Sequence, residues 1–291
     1  MESETSELRS DPLAGPAAKV TRAGLHLDSL YKRIKPFMET EPKPYRFVSK
    51  VDVETSRYLL RIVIEREPPV GWSLIVGDFV QNLRAALDHL VWQLVRANGQ
   101  QPGRSIAFPI FDQEPPMRRG HRERERWKAM TRGVHPAALR FIERLQPYSP
   151  GGDGPSRNVL TALRKLSNED KHRTILSAFS AIEHREPIEI DVVGVRDVRT
   201  PVEGGQVYAG RALKSYDLVL EAPVEIIGPN PEVKLEGTLP MDVGFGWKPV
   251  PLNGLVQMVQ SVAAIIAYAR GFVGVKPGVE VKRVSTEISQ A

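Results

Sequence analysis

The stretch Gly77-Asp78-Phe79-Val80-Gln81-Asn82-Leu83-Arg84-Ala85-Ala86-Leu87-Asp88-His89-Leu90 decides the fold of this chain, because it predicts a long amphipathic helix. At about 100° per residue, one stripe of this helix is apolar. The stripe consists of Ile75, Phe79, Leu83, Ala86, Leu87, Leu90 and Leu94. Asp78, Asn82 and His89 fall within about 40° of one another along its edge, and Arg84 lies beyond the other edge. This helix is therefore the first candidate for chemistry.

Composition excludes several classes of protein. The chain has 291 residues, is 41% hydrophobic and contains no cysteine. Disulfides, thiolate zinc sites and cysteine nucleophiles are therefore excluded, and a reducing cytoplasm is the expected location. The longest strongly apolar run, Val262 to Ala269, is far shorter than the ~20 residues of a membrane-spanning helix, so no membrane partner is expected. The glycine-rich motifs of ATPases, dinucleotide enzymes and elbow hydrolases are absent, and no cofactor is expected.

Residues 118–144, here called the basic segment, contain nine Lys and Arg residues but three Glu, a net charge of +6 against +5 for the whole chain. Such a cluster, with Trp127 inside it, can neutralise phosphates and release counterions. The candidates for contact with nucleic acid are Arg118, Arg119, Arg122, Arg124, Arg126, Lys128 and Arg132. The alternative is a solvated helix face, because Glu125 and Lys128 have the spacing of an exposed ion pair.

The pattern along the chain predicts a helical bundle with two β additions. We expect a disordered tail at 1–16, a helical core at 17–185 with a β-hairpin at about 45–66, a β region at 186–250, a helix at 251–275 that returns to the bundle, and a flexible tail at 276–291. The predicted helices are Lys19 to Thr40, Gly71 to Ala97, Arg122 to Thr131, one starting at Pro136, one capped by Ser156, and Leu252 to Phe272. The predicted strands flank Glu54 to Arg57 and occupy Ile188 to Val192, Tyr216 to Leu220 and Val233 to Glu236. Pro36 is expected to kink or end the first helix near Lys35.

The helix that follows Ser156 leaves two possibilities open. The face formed by Val159, Leu163 and Leu166 points about 160° away from the face of Ile175, Phe179 and Ile182 on one helical wheel. Either the helix is sandwiched between two layers, or it breaks at 167–170, where Ser167 and Asp170 resemble a capping box. We prefer the break.

A second polar cluster, Asn168-Glu169-Asp170-Lys171-His172-Arg173, lies in this region. His172 shares a helical face with Ile175 and Phe179, so partial burial of the imidazole is expected. We also expect His172 to lie within about 10 Å of His89, close enough to serve one site. The alternative is that each is a structural histidine with a carbonyl or carboxylate partner.

Three hypotheses account for the two polar clusters. In the first, His89 is a general acid or base, Arg84 stabilises a pentavalent phosphate, and Asp88 and His172 complete a metal-independent site for RNA cleavage. In the second, Asp78, His89, Glu169 and His172 bind a divalent metal, although the second copy of a Glu-x-x-His motif is missing. In the third, the polar residues only fix the helix register. The supporting network would be Asp78, Asn82, Asn168, Glu169, Asp170, Lys171 and Arg173.

Several motifs resemble those of a widespread family of uncharacterised bacterial proteins, over most of residues 17–275. They are Gly77-Asp78 with Asn82-Leu83-Arg84-x-Ala86-Leu87-Asp88-His89-Leu90, then Phe108-Pro109-Ile110, Gln146-Pro147-Tyr148 and Asp170-Lys171-His172-Arg173. The spacing of Arg84 and His89 is also similar to that of HEPN domains, helical bundles that often act as ribonucleases in toxin and antiphage systems. HEPN domains commonly have Asn, Asp or His after the arginine, where this chain has Ala85.

The sequence therefore predicts a mainly helical α+β protein. The resemblance implies a HEPN-like, metal-independent endoribonuclease or an inactive relative. The alternatives are a non-catalytic nucleic-acid-binding or regulatory protein and a metal-dependent enzyme. RNA and a second copy of the chain are the candidate partners.

Overall fold

The computed structural model describes residues 11–273, with gaps at 117, 119, 150–154, 174, 176, 182–190, 200–205, 208–211, 237–240 and 247. It confirms a mainly helical α+β fold. The helices of the described residues are α1 Ala14–Glu39, α2 Gly71–Ala97, α3 Arg122–Thr131, α4 Pro136–Arg144, α5 Pro155–His172 and α6 Leu252–Val273. The described strands are β1 Tyr45–Asp52, β2 Arg57–Ile64, β3 Ser177–Ala181, β4 Asp191–Arg196, β5 Val198–Arg199, β6 Gln206–Val207, β7 Leu218–Pro223, β8 Glu225–Ile226, β9 Glu232–Glu236, β10 Met241–Phe245 and β11 Val250–Pro251.

The chain forms two compact units, each assembled from separate stretches of sequence. Unit 1 contains residues 1–24, 79–167 and 257–291, and unit 2 contains residues 25–78 and 168–256. All of the described strands belong to unit 2. The domain limits predicted from the sequence stay predictions.

Helix α2 begins and ends where the sequence predicts. Its apolar stripe is buried, with Leu83 and Leu87 each 0% exposed, and burying a side chain of this size contributes about 1.5–3 kcal/mol. The helix ends because Gly99 adopts a φ of 70°, a left-handed conformation that glycine reaches without steric cost. The Gly99 N–H donates to the carbonyl of Arg96 at 2.9 Å.

Helix α1 starts earlier than predicted, so the assignment of residues 1–16 to a disordered tail is wrong at its C-terminal end. The helix begins at Ala14 rather than Lys19, and Leu13 is only 1% exposed. Asp11 accepts a hydrogen bond from the Leu13 N–H at 2.9 Å, as capping side chains do. Pro16 does not obstruct the helix, since the N–H groups of a first turn need no helical partner. Residues 1–10 lie outside the described residues.

The far end of α1 lies one residue from the predicted limit, Thr40, and one of the two expected effects of Pro36 does not occur. Pro36 does not end the helix near Lys35, because α1 continues through it to Glu39. Only about one turn follows the proline, which limits the number of backbone hydrogen bonds that its ring can disturb. The Thr40 hydroxyl donates to the Pro36 carbonyl at 2.7 Å and gives that carbonyl a partner.

The predicted hairpin is confirmed, and it belongs to a larger sheet. Strands β1 and β2 pair antiparallel from Tyr45 opposite Ile64 to Asp52 opposite Arg57. Strand β2 also pairs with β7, with Leu60 opposite Leu220. The sheet order β1-β2-β7-β6 therefore joins the hairpin to the later β region within unit 2.

The preferred helix break at 167–170 is wrong. Helix α5 runs without interruption to His172, and Ser167 is buried at 2% exposure rather than placed at a helix start. Strand β3 then replaces the expected second helix, with Phe179 opposite Val243 of β10. The spacing of Ile175 and Phe179 fits one face of a helix, and only the pairing with the distant strand β10 shows that Phe179 belongs to a strand. Ile182 lies outside the described residues.

Other boundaries differ by a few residues. Helix α5 begins at Pro155, so Ser156 is inside its first turn instead of capping it. Strands β7 and β9 agree with two of the predicted strands to within three residues. The third candidate begins at Ile188, which lies outside the described residues, and β4 is described from Asp191.

Helix α6 agrees with the predicted C-terminal helix. By length and composition alone it could span a membrane, with 22 residues and a mean hydropathy of 1.4 in its most apolar window. A core helix of a soluble protein can meet the same criteria, and 33% of this window is buried in the protein. The expectation that no membrane is involved stays a prediction. The predicted flexible tail at 276–291 lies outside the described residues.

Candidate functional site

Arg84 and Asp88 of α2 hold both backbone groups of Phe108 in unit 1. Arg84 Nη2 donates to the Phe108 carbonyl at 2.5 Å and pairs with Asp88 Oδ1 at 3.0 Å. The same carboxylate oxygen accepts the Phe108 N–H at 2.8 Å. Because the Phe108 side chain is 0% exposed, these polar groups need partners that water cannot replace freely. We call this arrangement the Phe108 clamp.

Burial also sets the electrostatics of the clamp. The Arg84 side chain is 15% exposed, and this burial lowers the pKa of its guanidinium. The carboxylate of Asp88 opposes that shift, and the positive charge of Arg126 adds to it. Arg84 Nη1 is buried and has no hydrogen-bond partner among the described residues. Most of this arginine is therefore committed to the fold, one turn from the carboxylate that neutralises it.

The segment that follows Phe108 is held by further side chains of unit 1. Gln146 is 0% exposed, accepts the Phe111 N–H at 3.1 Å and donates to the Pro109 carbonyl at 2.9 Å. Asp112 accepts hydrogen bonds from Thr161 and Arg164 of α5. The motif residues around Phe108 thus form one polar framework that fixes an irregular segment against the helices.

His89 does not face the core. It lies at the edge of the apolar stripe, and this position leaves its side chain exposed. It shares an outer stripe of α2 with Trp92, which is 41% exposed, and with the exposed Arg96. His89 is therefore accessible to a ligand, whereas the Arg84 side chain is only 15% exposed.

Asp78 and Asn82 behave differently from each other on the same helix. Asp78 is exposed and Asn82 is half-buried, and each has an interaction partner. Their predicted membership of a supporting polar network stays a prediction.

The second polar cluster is mostly on the surface of unit 2. The exposed members are Asn168, Lys171, His172 and Arg173, and the half-buried members are Glu169 and Asp170. The expected partial burial of His172 is wrong, since α5 ends at this residue and Ile175 does not extend its face. The predicted approach of His89 to His172 stays a prediction.

The position of Asp170 explains why residue 77 of the α2 motif is a glycine. A Cβ atom on Gly77 would lie 2.3 Å from Asp170 Oδ1, a separation that real Cβ atoms do not tolerate. The two motifs therefore meet in unit 2 through a contact in which a Cβ on residue 77 would displace the Asp170 carboxylate. This is a packing role for Gly77 and Asp170 that requires no ligand.

No arrangement of side chains in the described part of the chain supports the metal hypothesis. Among those residues, no group of three His, Asp or Glu side chains is placed to hold a metal ion. Asp78, His89, Glu169 and His172 do not form such a group there.

The basic segment presents most of its cations to solvent. Arg118, Arg122, Arg126 and Arg132 are exposed, Arg124 is half-buried, and Arg119 lies outside the described residues. The exposed Lys128 pairs with Glu125 at 2.9 Å, as the i,i+3 spacing predicts. The Arg126 guanidinium lies 5.7 Å from the centroid of the Phe111 ring, and Trp127 packs edge-on against that ring at 5.8 Å.

Two histidines of the basic segment have local structural roles that the sequence analysis missed. His121 Nδ1 accepts the Glu123 N–H at 3.4 Å at the start of α3. His135 Nδ1 accepts the Ala137 N–H at 3.2 Å at the start of α4. The available signal was position, since each histidine immediately precedes a predicted helix where a capping acceptor is needed.

Comparison with protein-family models, with curated proteins and with solved structures finds no match to this chain. The resemblance to HEPN domains therefore stays a prediction.

Proposed function

We propose that this protein binds RNA through the basic segment without cleaving it, as a relative of HEPN ribonucleases whose motif arginine has a structural role. The observation that carries the proposal is the contrast between Arg84, which is held in the Phe108 clamp, and the exposed cations of α3. Phosphate recognition needs charges that the backbone of the nucleic acid can reach. The exposed arginines meet that requirement better than Arg84.

The exposed arginines form no direct ion pair with an acid in the described part of the chain. Among the described residues, no carboxylate forms an ion pair with Arg118, Arg122, Arg126 or Arg132. Arg122 and Arg126 are four positions apart on α3, so they lie on the same side of the helix. An arginine pair of this kind can bind successive phosphate groups with its planar donors.

An aromatic surface accompanies this charge. Trp127 is half-buried, so part of its ring is available to an unpaired base, and its neighbour Phe111 supports it from the side. Stacking of one base on an aromatic ring contributes about 1–3 kcal/mol without sequence preference. The combination favours single-stranded RNA over a rigid duplex.

A catalytic role for Arg84 would require it to contact the transition state. Its Nη2 is used by Asp88 and the Phe108 carbonyl, and its Nη1 is closed to solvent. An arginine that stabilises a pentavalent phosphate must instead direct donors at the reacting oxygens. Cleavage with His89, Asp88 and His172 is the competing prediction, and a homodimer and a cytoplasmic location also stay predictions.

The test is the binding of a fluorescently labelled single-stranded RNA, measured by anisotropy over a series of salt concentrations. Each lost phosphate contact reduces the magnitude of the negative slope of log K against log salt by about 0.7 for a single strand. We expect Arg122→Ala/Arg126→Ala to reduce that magnitude by about 1.4. The matched control, Lys43→Ala/Lys50→Ala, removes the same charge from exposed positions of unit 2 and should leave the slope unchanged. No binding by the wild-type protein at low salt, or equal slopes for all three proteins, would refute the proposal.

A further inference from the structure

Unit 2 contains a groove with an apolar floor and a cationic rim. Its volume is about 540 Å³, within the range of about 300–1,000 Å³ that is typical of small-molecule sites. The apolar lining comes from the end of α1 and the start of α2. It consists of Pro36, Phe37, Pro69, Trp72 and Ile75. Phe37 and Trp72 meet edge-to-face, with ring centroids 5.0 Å apart.

Two cations line this groove, and a third lies over one of its lining rings. Lys32 and Arg33 line it directly and are exposed. Arg66 lies over the Phe37 ring, with its guanidinium carbon 4.8 Å from the ring centroid. Among the described residues, no carboxylate forms an ion pair with any of the three. The rim therefore has an uncompensated positive charge beside an aromatic surface.

A second feature leaves room for a ligand. Gly71 lines the groove, and a Cβ atom added there would meet no atom within 4 Å. The first turn of α2 contains no acidic residue that would repel an anion. Space, positive charge and an apolar floor thus occur together at one place.

We infer that this groove binds the nucleoside monophosphate unit, with the base against Pro36 and the half-buried Phe37, which the buried Trp72 supports from below, and with the phosphate at Lys32 and Arg33. The flat face of a base suits an apolar floor, and cation–π attraction holds Arg66 over one face of the Phe37 ring, where its charge adds to that of the rim. The two rim cations of α1 supply the charge complementarity for one phosphate. A compact groove of this size suits one nucleotide better than an extended acidic peptide, which needs a longer binding surface.

This inference does not rest on the proposed function, because the groove residues belong to unit 2 and the basic segment belongs to unit 1. The RNA-binding proposal and the nucleotide groove can therefore be refuted independently of each other. Arg122→Ala/Arg126→Ala should leave nucleotide binding unchanged even where it weakens RNA binding.

The experiment is isothermal titration calorimetry at low salt with AMP, adenosine, inorganic phosphate and an acidic peptide. We expect AMP to bind at least about tenfold more tightly than adenosine or phosphate alone, because each loses one of the two sets of contacts. Lys32→Ala/Arg33→Ala should lose about tenfold or more in AMP affinity. Lys43→Ala/Lys50→Ala, with the same charge change elsewhere in unit 2, should stay within about twofold of wild type, since distant exposed charges are screened.

A second variant tests the space rather than the charge. Gly71→Phe places a ring in the open volume without a clash at its Cβ and should also abolish AMP binding. A single-stranded tetranucleotide distinguishes the source of the ligand. Tighter, groove-dependent binding of the tetranucleotide would identify an RNA strand, and equal binding would identify a free nucleotide. The inference is overturned if AMP binds no better than its two halves, if Lys32→Ala/Arg33→Ala equals the control, or if only the acidic peptide binds.

Discussion

Replacing Asp88 by Ala should destabilise the fold by about 2–3 kcal/mol, whether or not the protein binds RNA. Asp88 makes a charge-assisted bond to Arg84 and accepts the Phe108 N–H. Loss of a hydrogen bond to a charged group costs about 1.5–3 kcal/mol, and a buried N–H left without a partner costs about 1–3 kcal/mol. The Asp88 side chain is 32% exposed, so water can replace part of what is lost. The total loss of stability should therefore lie near the lower end of the range that the two contributions give together. Against a typical stability of about 5–15 kcal/mol, this is a large effect.

The pair formed by Glu125 and Lys128 provides the matched control. It joins the same kinds of group about one helical turn apart, but the two side chains are 52% and 49% exposed. Exposed pairs of this kind contribute about 0–1 kcal/mol, so Glu125→Ala should change the stability by less than about 0.5 kcal/mol.

Urea unfolding followed by circular dichroism measures both variants. The slope in urea is about 1–3 kcal/mol/M for small proteins and rises with size, so it is about 3 kcal/mol/M or more here, and Asp88→Ala should lower the midpoint by up to about 1 M. Asp88→Asn, which keeps an acceptor for the Phe108 N–H, should fall between wild type and Asp88→Ala. If Asp88→Ala costs no more than Glu125→Ala, the structural role of the Phe108 clamp is wrong.

Three further predictions concern other motif residues. Gly77→Ala should destabilise the protein by about 1 kcal/mol or more in thermal unfolding, despite alanine's better helix propensity, because its Cβ would meet Asp170. Gly71→Ala is the control, since a Cβ there has open space and should not destabilise the protein. Asp170→Ala should restore the stability lost in Gly77→Ala. Gln146→Leu should cost about 2–4 kcal/mol in urea unfolding, because three buried backbone groups lose their partner, and a loss below about 1 kcal/mol would contradict that role. Burial, with two nearby glutamates, raises the pKa of Tyr148 to about 12 from 10.0, so the unfolded state releases this proton first and stability should fall between pH 10 and 12. Tyr148→Phe should flatten that fall, and an unchanged pH dependence would contradict the assignment.

The helices were largely predictable because their apolar residues repeat with one period over many turns. Helix α2 has both a continuous stripe and a glycine stop, and its limits were predicted correctly. The region after His172 was not predictable in this way. Ile175 and Phe179 have a spacing that fits a helix, and the strand pairing with Val243 that decides the matter lies more than 60 residues away. Local patterns do not contain such information.

The candidate site was predictable only in its local part. The spacing of Arg84 and Asp88 placed the two side chains one turn apart on a helix, where ion pairs form. Their shared partner, the backbone of Phe108, is 20 residues away in an irregular segment, so the sequence suggested chemistry where the structure has a clamp. The exposure of His89 was missed because the edge of an apolar stripe does not specify which neighbours cover it.

The fate of RNA bound to the wild-type protein tests the central claim most directly. End-labelled single-stranded RNA is mixed with excess protein at low salt, binding is measured by anisotropy, and the same samples are then run on a denaturing gel. Our account predicts that the RNA is bound and stays intact for wild type and for His89→Ala alike. Cleavage by wild type that is lost in His89→Ala would contradict it, and would identify the protein as a ribonuclease.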